Sequence, residues 1–192
     1  MGRRRVRQPA IVSVLALVAY VGCAHLAHPQ SKSQEYRVEA SYLSNFGRFV
    51  HWPSATTNDP NFVICVLGSD PFGRMLDVAV AGEKINNQSV MTRRIATVQE
   101  ASACRIVFIS ASEAGHLAEL LKVLDHVSVL TVSDIPGFAA SGGMIQFVLM
   151  KEKVRFEVNV AATNAAKLSL SSQLLKVAAN IKPEPQAGEK PQ

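Results

Sequence analysis

Charge is scarce in this sequence, and side chains that do chemistry are scarcer. Asp, Glu, Lys and Arg make up 18% of the chain against 48% apolar residues, a balance that excludes a disordered chain and requires a packed core. Its 192 residues allow one ordinary domain and short tails. The five histidines are scattered, and none stands at metal-ligand spacing from a second ligand on one helix. Ser110, His116 and Asp125 would invite a hydrolase reading, but the G-x-S-x-G elbow is missing. Gly142-Gly143 is followed by neither Lys-Ser nor Lys-Thr, so it is no phosphate loop; a turn needing positive φ accounts for it. No catalytic residue, cofactor or metal is expected.

A strongly basic body is lacking too. Arg3, Arg4, Arg5 and Arg7 crowd the first seven residues, and without them the formal charge falls from +5 to +1. A nucleic-acid partner is therefore not expected. The apolar run over residues 10–21 is short for a membrane span but suits the core of a secretory signal behind that basic head. Gly22-Cys23-Ala24 permits cleavage after Ala24, which gives a signal peptide over residues 1–24 and an exported protein. Lipidation at Cys23 is the rival reading and fits less well, because Tyr20 stands where an aliphatic residue is usual. Residues 25–34 read as a polar tether, 35–181 as the domain, and 182–192 as a disordered tail rich in proline and charge.

What is present is an alternation of strands and helices. A helical apolar stripe over residues 35–50 ends at Trp52-Pro53, and residues 54–61 form a turn-rich loop. Residues 62–68 are a continuous apolar run, expected as a buried strand, and 104–110 and 127–132 are expected as two more; residues 89–98 alternate weakly as a further strand. Asp70-Pro71 is expected to open one helix, and Ser112 to cap another over residues 112–124. Asp134 to Gly137 reads as a turn and residues 138–141 as a flexible link. Two strands, 144–150 and 154–158, make a hairpin across Lys151-Glu152-Lys153. Helices follow over residues 160–166 and from Ser171 or Ser172, the latter with Leu170, Leu174, Val177 and Ile181 on one stripe. The expected fold is a single α/β domain: a central, mostly parallel sheet flanked by helices, with a C-terminal β-hairpin plus helix. Cys65 and Cys104 fall in two of the buried strands, and adjacent strands could bring them together. In an exported protein such a pair is more often bridged than free.

The stretch GGMIQFVLMKEKVRFEVNVAATNAAKLSLSSQLLKVA, residues 142–178, resembles the C-terminal signature of the YfiR family of small periplasmic proteins. Residues 36–53, YRVEASYLSNFGRFVHWP, are similar to that family's opening helix and its aromatic-Trp-Pro stop, and the resemblance covers roughly residues 35–181. It implies a periplasmic location, the same α/β architecture, and a bridge between Cys65 and Cys104. As a staple closing about forty residues, that bridge would add about 4 kcal/mol; a redox switch stays open as the other reading. Some members carry a second cysteine pair near residues 142–146, whereas no cysteine follows Cys104 here. The resemblance further implies a regulatory binding protein that restrains an inner-membrane diguanylate cyclase through its periplasmic sensor region. Cyclic di-GMP and biofilm formation would fall as a result. It adds an outer-membrane lipoprotein and a homodimer as possible partners. The contact surface is expected on the hairpin and final helix, around Ile145, Phe147, Phe156 and Leu168. The alternative is a small-ligand sensor without a cyclase partner, its mouth at the strand ends near Ser69 and Asp70 or Ser110 and Ser112.

Overall fold

The computed structural model describes residues 29–53 and 60–182, together with Gly2. The rest of the expected signal peptide, most of the 54–61 loop and the tail beyond Lys182 lie outside the described residues. Helix α1 (Pro29–Phe46) starts within the stretch read as a tether and ends before the expected Trp-Pro stop. Gly47 follows at a close approach, where a Cβ would sit 2.5 Å from the side chains of Ile85 and Phe62. The chain turns there and forms β1 (Val50–His51).

Strand β2 (Phe62–Leu67) is buried at every position. Asp70-Pro71 does not open a helix. Asp70 Oδ1 instead accepts from the Phe72 N–H at 2.8 Å, Gly73 takes φ +51°, and α2 (Arg74–Val80) begins only after it. The Asn86-Asn87 pair, both at positive φ, joins β3 (Lys84–Ile85) to β4 (Gln88–Ile95) in a tight hairpin that the sequence reading did not anticipate. A short 3₁₀ turn over Val98–Ala103 leads to β5 (Ile106–Ile109). The next helix is not capped by Ser112: a 3₁₀ turn, Ala111–His116, precedes α3 (Leu117–Val123), and Ser112 Oγ accepts from the Ser69 N–H at 2.9 Å. Strand β6 (Leu130–Ser133) follows.

Residues 138–141 are no flexible link. Phe138 is fully buried, and Gly143 is needed beside it because a Cβ there would enter the Phe138 ring; Gly142 supplies the positive φ, at +104°. The hairpin is β7 (Ile145–Met150) and β8 (Lys153–Asn159) around Lys151 and Glu152, both in the left-handed region. The Asn159 side chain caps α4 (Val160–Ala165). After β9 (Ser169–Leu170), Ser171 caps α5 (Ser172–Val177). The chain leaves that helix at Ala178, so the stripe does not hold: of its four residues only Leu174 is buried, and Ile181 enters β10 (Asn180–Lys182).

The main sheet has the order β10-β8-β7-β6-β5-β2-β4-β3, with β1 and β9 paired apart from it. All its pairings are parallel except β7 with β8 and β3 with β4. Both sheet faces are covered, which is why β2 and β5 at the centre read as unbroken apolar runs. One face packs Ile64, Val66, Phe108 and Phe147 under α1, α2 and the C-terminal helices. The other packs Cys65, Leu67, Val107 and Ile109 under α3 and Phe138.

Candidate partner-binding surface

Cys65 and Cys104 are bridged, with Cα atoms 6.0 Å apart. Both are buried in the face opposite α1, so the bond is shielded from dissolved thiols and links β2 to the segment entering β5.

The four residues expected to meet a partner are in the core. Ile145, Phe147, Phe156 and Leu168 are 0, 3, 1 and 2% exposed. Their face of the hairpin lies under α1: Phe147 stacks on Phe46 at 5.9 Å, and Phe156 meets Phe46 and Tyr42 edge-on at 5.3 and 5.4 Å. A docking residue must reach solvent, so these four are corrected to core.

The same face continues past them. Leu149 pairs with Val154 one step beyond Phe147 and Phe156, where the helix no longer covers the sheet. Leu149 is 56% exposed, Met150 49% and Val38 of α1 38%. Val38, Leu149 and Val154, rimmed by Glu35, Glu152 and Lys153, line a groove of about 760 Å³ between α1 and the hairpin tip. The available signal was two large apolar residues, Leu149 and Met150, directly before a polar hairpin turn, where a solvated tip would carry polar ones.

Beside the groove, the N-terminal half of α1 is held to the turn after β6. The Tyr36 hydroxyl donates to Asp134 Oδ2 at 3.3 Å, and Lys32 Nζ lies 3.8 Å from the same oxygen. Glu39 is buried between them and the core. Burial, and next the Asp134 carboxylate, push its carboxyl up to about 8.

The alternative mouth at the strand ends is closed upon itself. Strand order reverses between β2 and β5, the position where an open α/β sheet would take a ligand. There Ser112 and Glu113 sit against Gly68, leaving no room for a Cβ, and Ser112 Oγ also donates to Glu113 at 2.9 Å. Asp70 is taken by Arg94 Nε at 2.8 Å, and Arg94 Nη2 donates to the Gly73 carbonyl at 2.7 Å. Ser110 is buried whereas His116 is exposed, and Asp125 lies 3.4 Å from His126. Among the described residues no group of three His, Cys, Asp or Glu could hold a metal, and no helix is long and apolar enough to cross a membrane.

No curated protein matches this chain. Among solved structures, the ABC domain from Streptococcus pneumonia in complex with L-Trp superposes with a TM-score of 0.52 at 9% identity, over 74% of this chain and 60% of that one. It shares the fold alone. A conserved domain protein from Vibrio cholerae O1 biovar El Tor gives 0.49 at 9% identity, over 79% of this chain and 60% of its own. The YfiR/HmsC-like profile spans residues 36–179, from Tyr36 on α1 to Ala179 just before β10, and so takes in the bridge, Val38 and the hairpin side of the groove, and both Glu39 and Asp134. The chain belongs to the YfiR/HmsC-like family.

Proposed function

We propose that this protein is a periplasmic repressor that binds the periplasmic sensor region of an inner-membrane diguanylate cyclase, lowering cyclic di-GMP and biofilm formation. Family membership over residues 36–179 carries this reading, since the family is associated with regulating membrane diguanylate cyclases. The groove between α1 and the hairpin tip is the surface we assign to the cyclase. Its Leu149, Val38 and Val154 form an apolar centre, and Glu35, Glu152 and Lys153 a polar rim, the anatomy of a specific interface. Repression requires tighter binding to the inactive state of the cyclase than to the active one; equal affinity for both would shift nothing. An outer-membrane lipoprotein that sequesters the repressor, and a homodimer, are compatible further partners. The small-ligand reading is not adopted, because Ser69, Asp70 and Ser112 are engaged with protein partners at the mouth it would use.

Cellular cyclic di-GMP tests the proposal in a deletion strain, with complementation by exported and signal-less forms. A rise on deletion, reversed by the exported form alone, is the expected result. Unchanged cyclic di-GMP, or rescue from the cytoplasm, would overturn it.

A further inference from the structure

The wall of the groove that carries Glu35 and Val38 is the N-terminal half of α1, and two acids meet where that half touches the body. Asp134 is the first residue after β6; its Oδ2 takes both the Tyr36 hydroxyl at 3.3 Å and the Lys32 ammonium at 3.8 Å. Glu39 is 3% exposed. Its Oε2 and Asp134 Oδ1 are both buried without a hydrogen-bond partner. A carboxylate so placed, without a donor and facing a second carboxylate, is strongly disfavoured, and the cluster is relieved when one acid keeps its proton. Asp134 is the acid with the cation and the phenol, so the proton belongs to Glu39.

We propose that Glu39 and Asp134 form a pH-operated latch: protonated Glu39 lets α1 close on the turn after β6, and rising pH loosens that half of the helix and the groove wall it carries. From its own helix Lys32 favours the Glu39 carboxylate and Glu35 opposes it; Asp134 opposes it across the interface. α2, packed along α1, carries Arg74 and Asp77, and both belong to the cluster around Arg94. β8 meets α1 with Phe156, and none of its charged residues, Lys153, Arg155 or Glu157, is among the charges acting on Glu39. Closing the latch takes up one proton. Each unit of pH between 4.5 and about 8 therefore makes opening roughly tenfold easier, and further alkalinity adds nothing. The latch would tie partner docking to the pH of the compartment that holds the protein. That consequence rests on the function proposed above; the latch itself does not.

Two measurements on the purified exported chain decide the matter without a cyclase. Hydrogen exchange of the α1 amides, corrected for intrinsic exchange, should show opening that rises about tenfold per pH unit and levels off near 8 in the wild type. In Glu39→Gln it should be flat. Infrared difference spectra should show the carbonyl stretch of a protonated carboxyl vanishing near pH 8 in the wild type, which decides the case even if the variant does not fold. Equal exchange profiles in the two proteins, or no carboxyl titrating near 8, would overturn the latch while leaving the repressor reading intact. Unchanged cyclic di-GMP on deletion would do the reverse.

Discussion

Glu39 is the residue on which stability as a function of pH turns. Its carboxyl is raised from 4.5 to about 8 by burial and by Asp134, so between those values the folded chain holds a proton that the unfolded chain has released. The stabilisation is complete below 4.5 and is lost as the pH rises to about 8. The slope is at most about 1.4 kcal/mol per pH unit. Urea denaturation across that window should show wild-type stability falling with pH and Glu39→Gln nearly level; parallel curves would mean that the carboxyl is not protonated in the fold. Composition and periodicity hide this residue. The α1 stripe reads through Val38, Tyr42, Leu43 and Phe46, and a glutamate beside it looks like an ordinary solvated position. Only the packing of α1 against the body makes it a buried acid, with Asp134 of the turn after β6 adding its charge.

At the scale of elements, the hairpin frames the groove and the bridge holds the opposite face of the sheet. Lys151 and Glu152 both occupy the left-handed region, φ +48° and +61°, where a side chain costs about 1–2 kcal/mol. Replacing the pair by Asn-Gly should therefore raise the melting temperature, with a gain of about 1 kcal/mol. A loss would show that the turn contributes contacts beyond its backbone. The bridge between Cys65 and Cys104 closes a separation of 39 residues. Reducing it, or replacing both cysteines by Ala, should cost about 2–4 kcal/mol in chemical denaturation while leaving Leu149 and the groove in place. If repression vanished with stability hardly changed, the bond would be a switch rather than a staple. Strand identities were readable here because β2 and β5 are buried on both faces and so run apolar without interruption, and β6 is buried throughout. Helix starts were less so: Asp70 and Ser112 are good capping residues by type, yet their side chains are spent on Phe72, Arg94, Ser69 and Glu113, contacts set by tertiary neighbours.

For the whole molecule, the test is whether binding and folding can be separated. Leu149→Glu puts a charge on a residue 56% exposed; its melting temperature should stay close to wild type, while repression in cells and pull-down of the cyclase sensor region are lost. Phe156→Ala removes a ring packed on Phe46 and Tyr42 and should cost about 3–5 kcal/mol, failing through misfolding. If Leu149→Glu represses normally, the groove is not the docking surface. The sequence by itself determined the α/β class, the succession of buried strands along the chain and the cysteines available for bridging, because hydrophobic period and residue type act over a few neighbours. Which face of the hairpin meets water was decided only in three dimensions. Phe147 and Leu149 lie on one face two residues apart, indistinguishable by pattern. The first is covered by α1 and the second lies past its reach, and that difference depends on where a helix over a hundred residues away comes to rest.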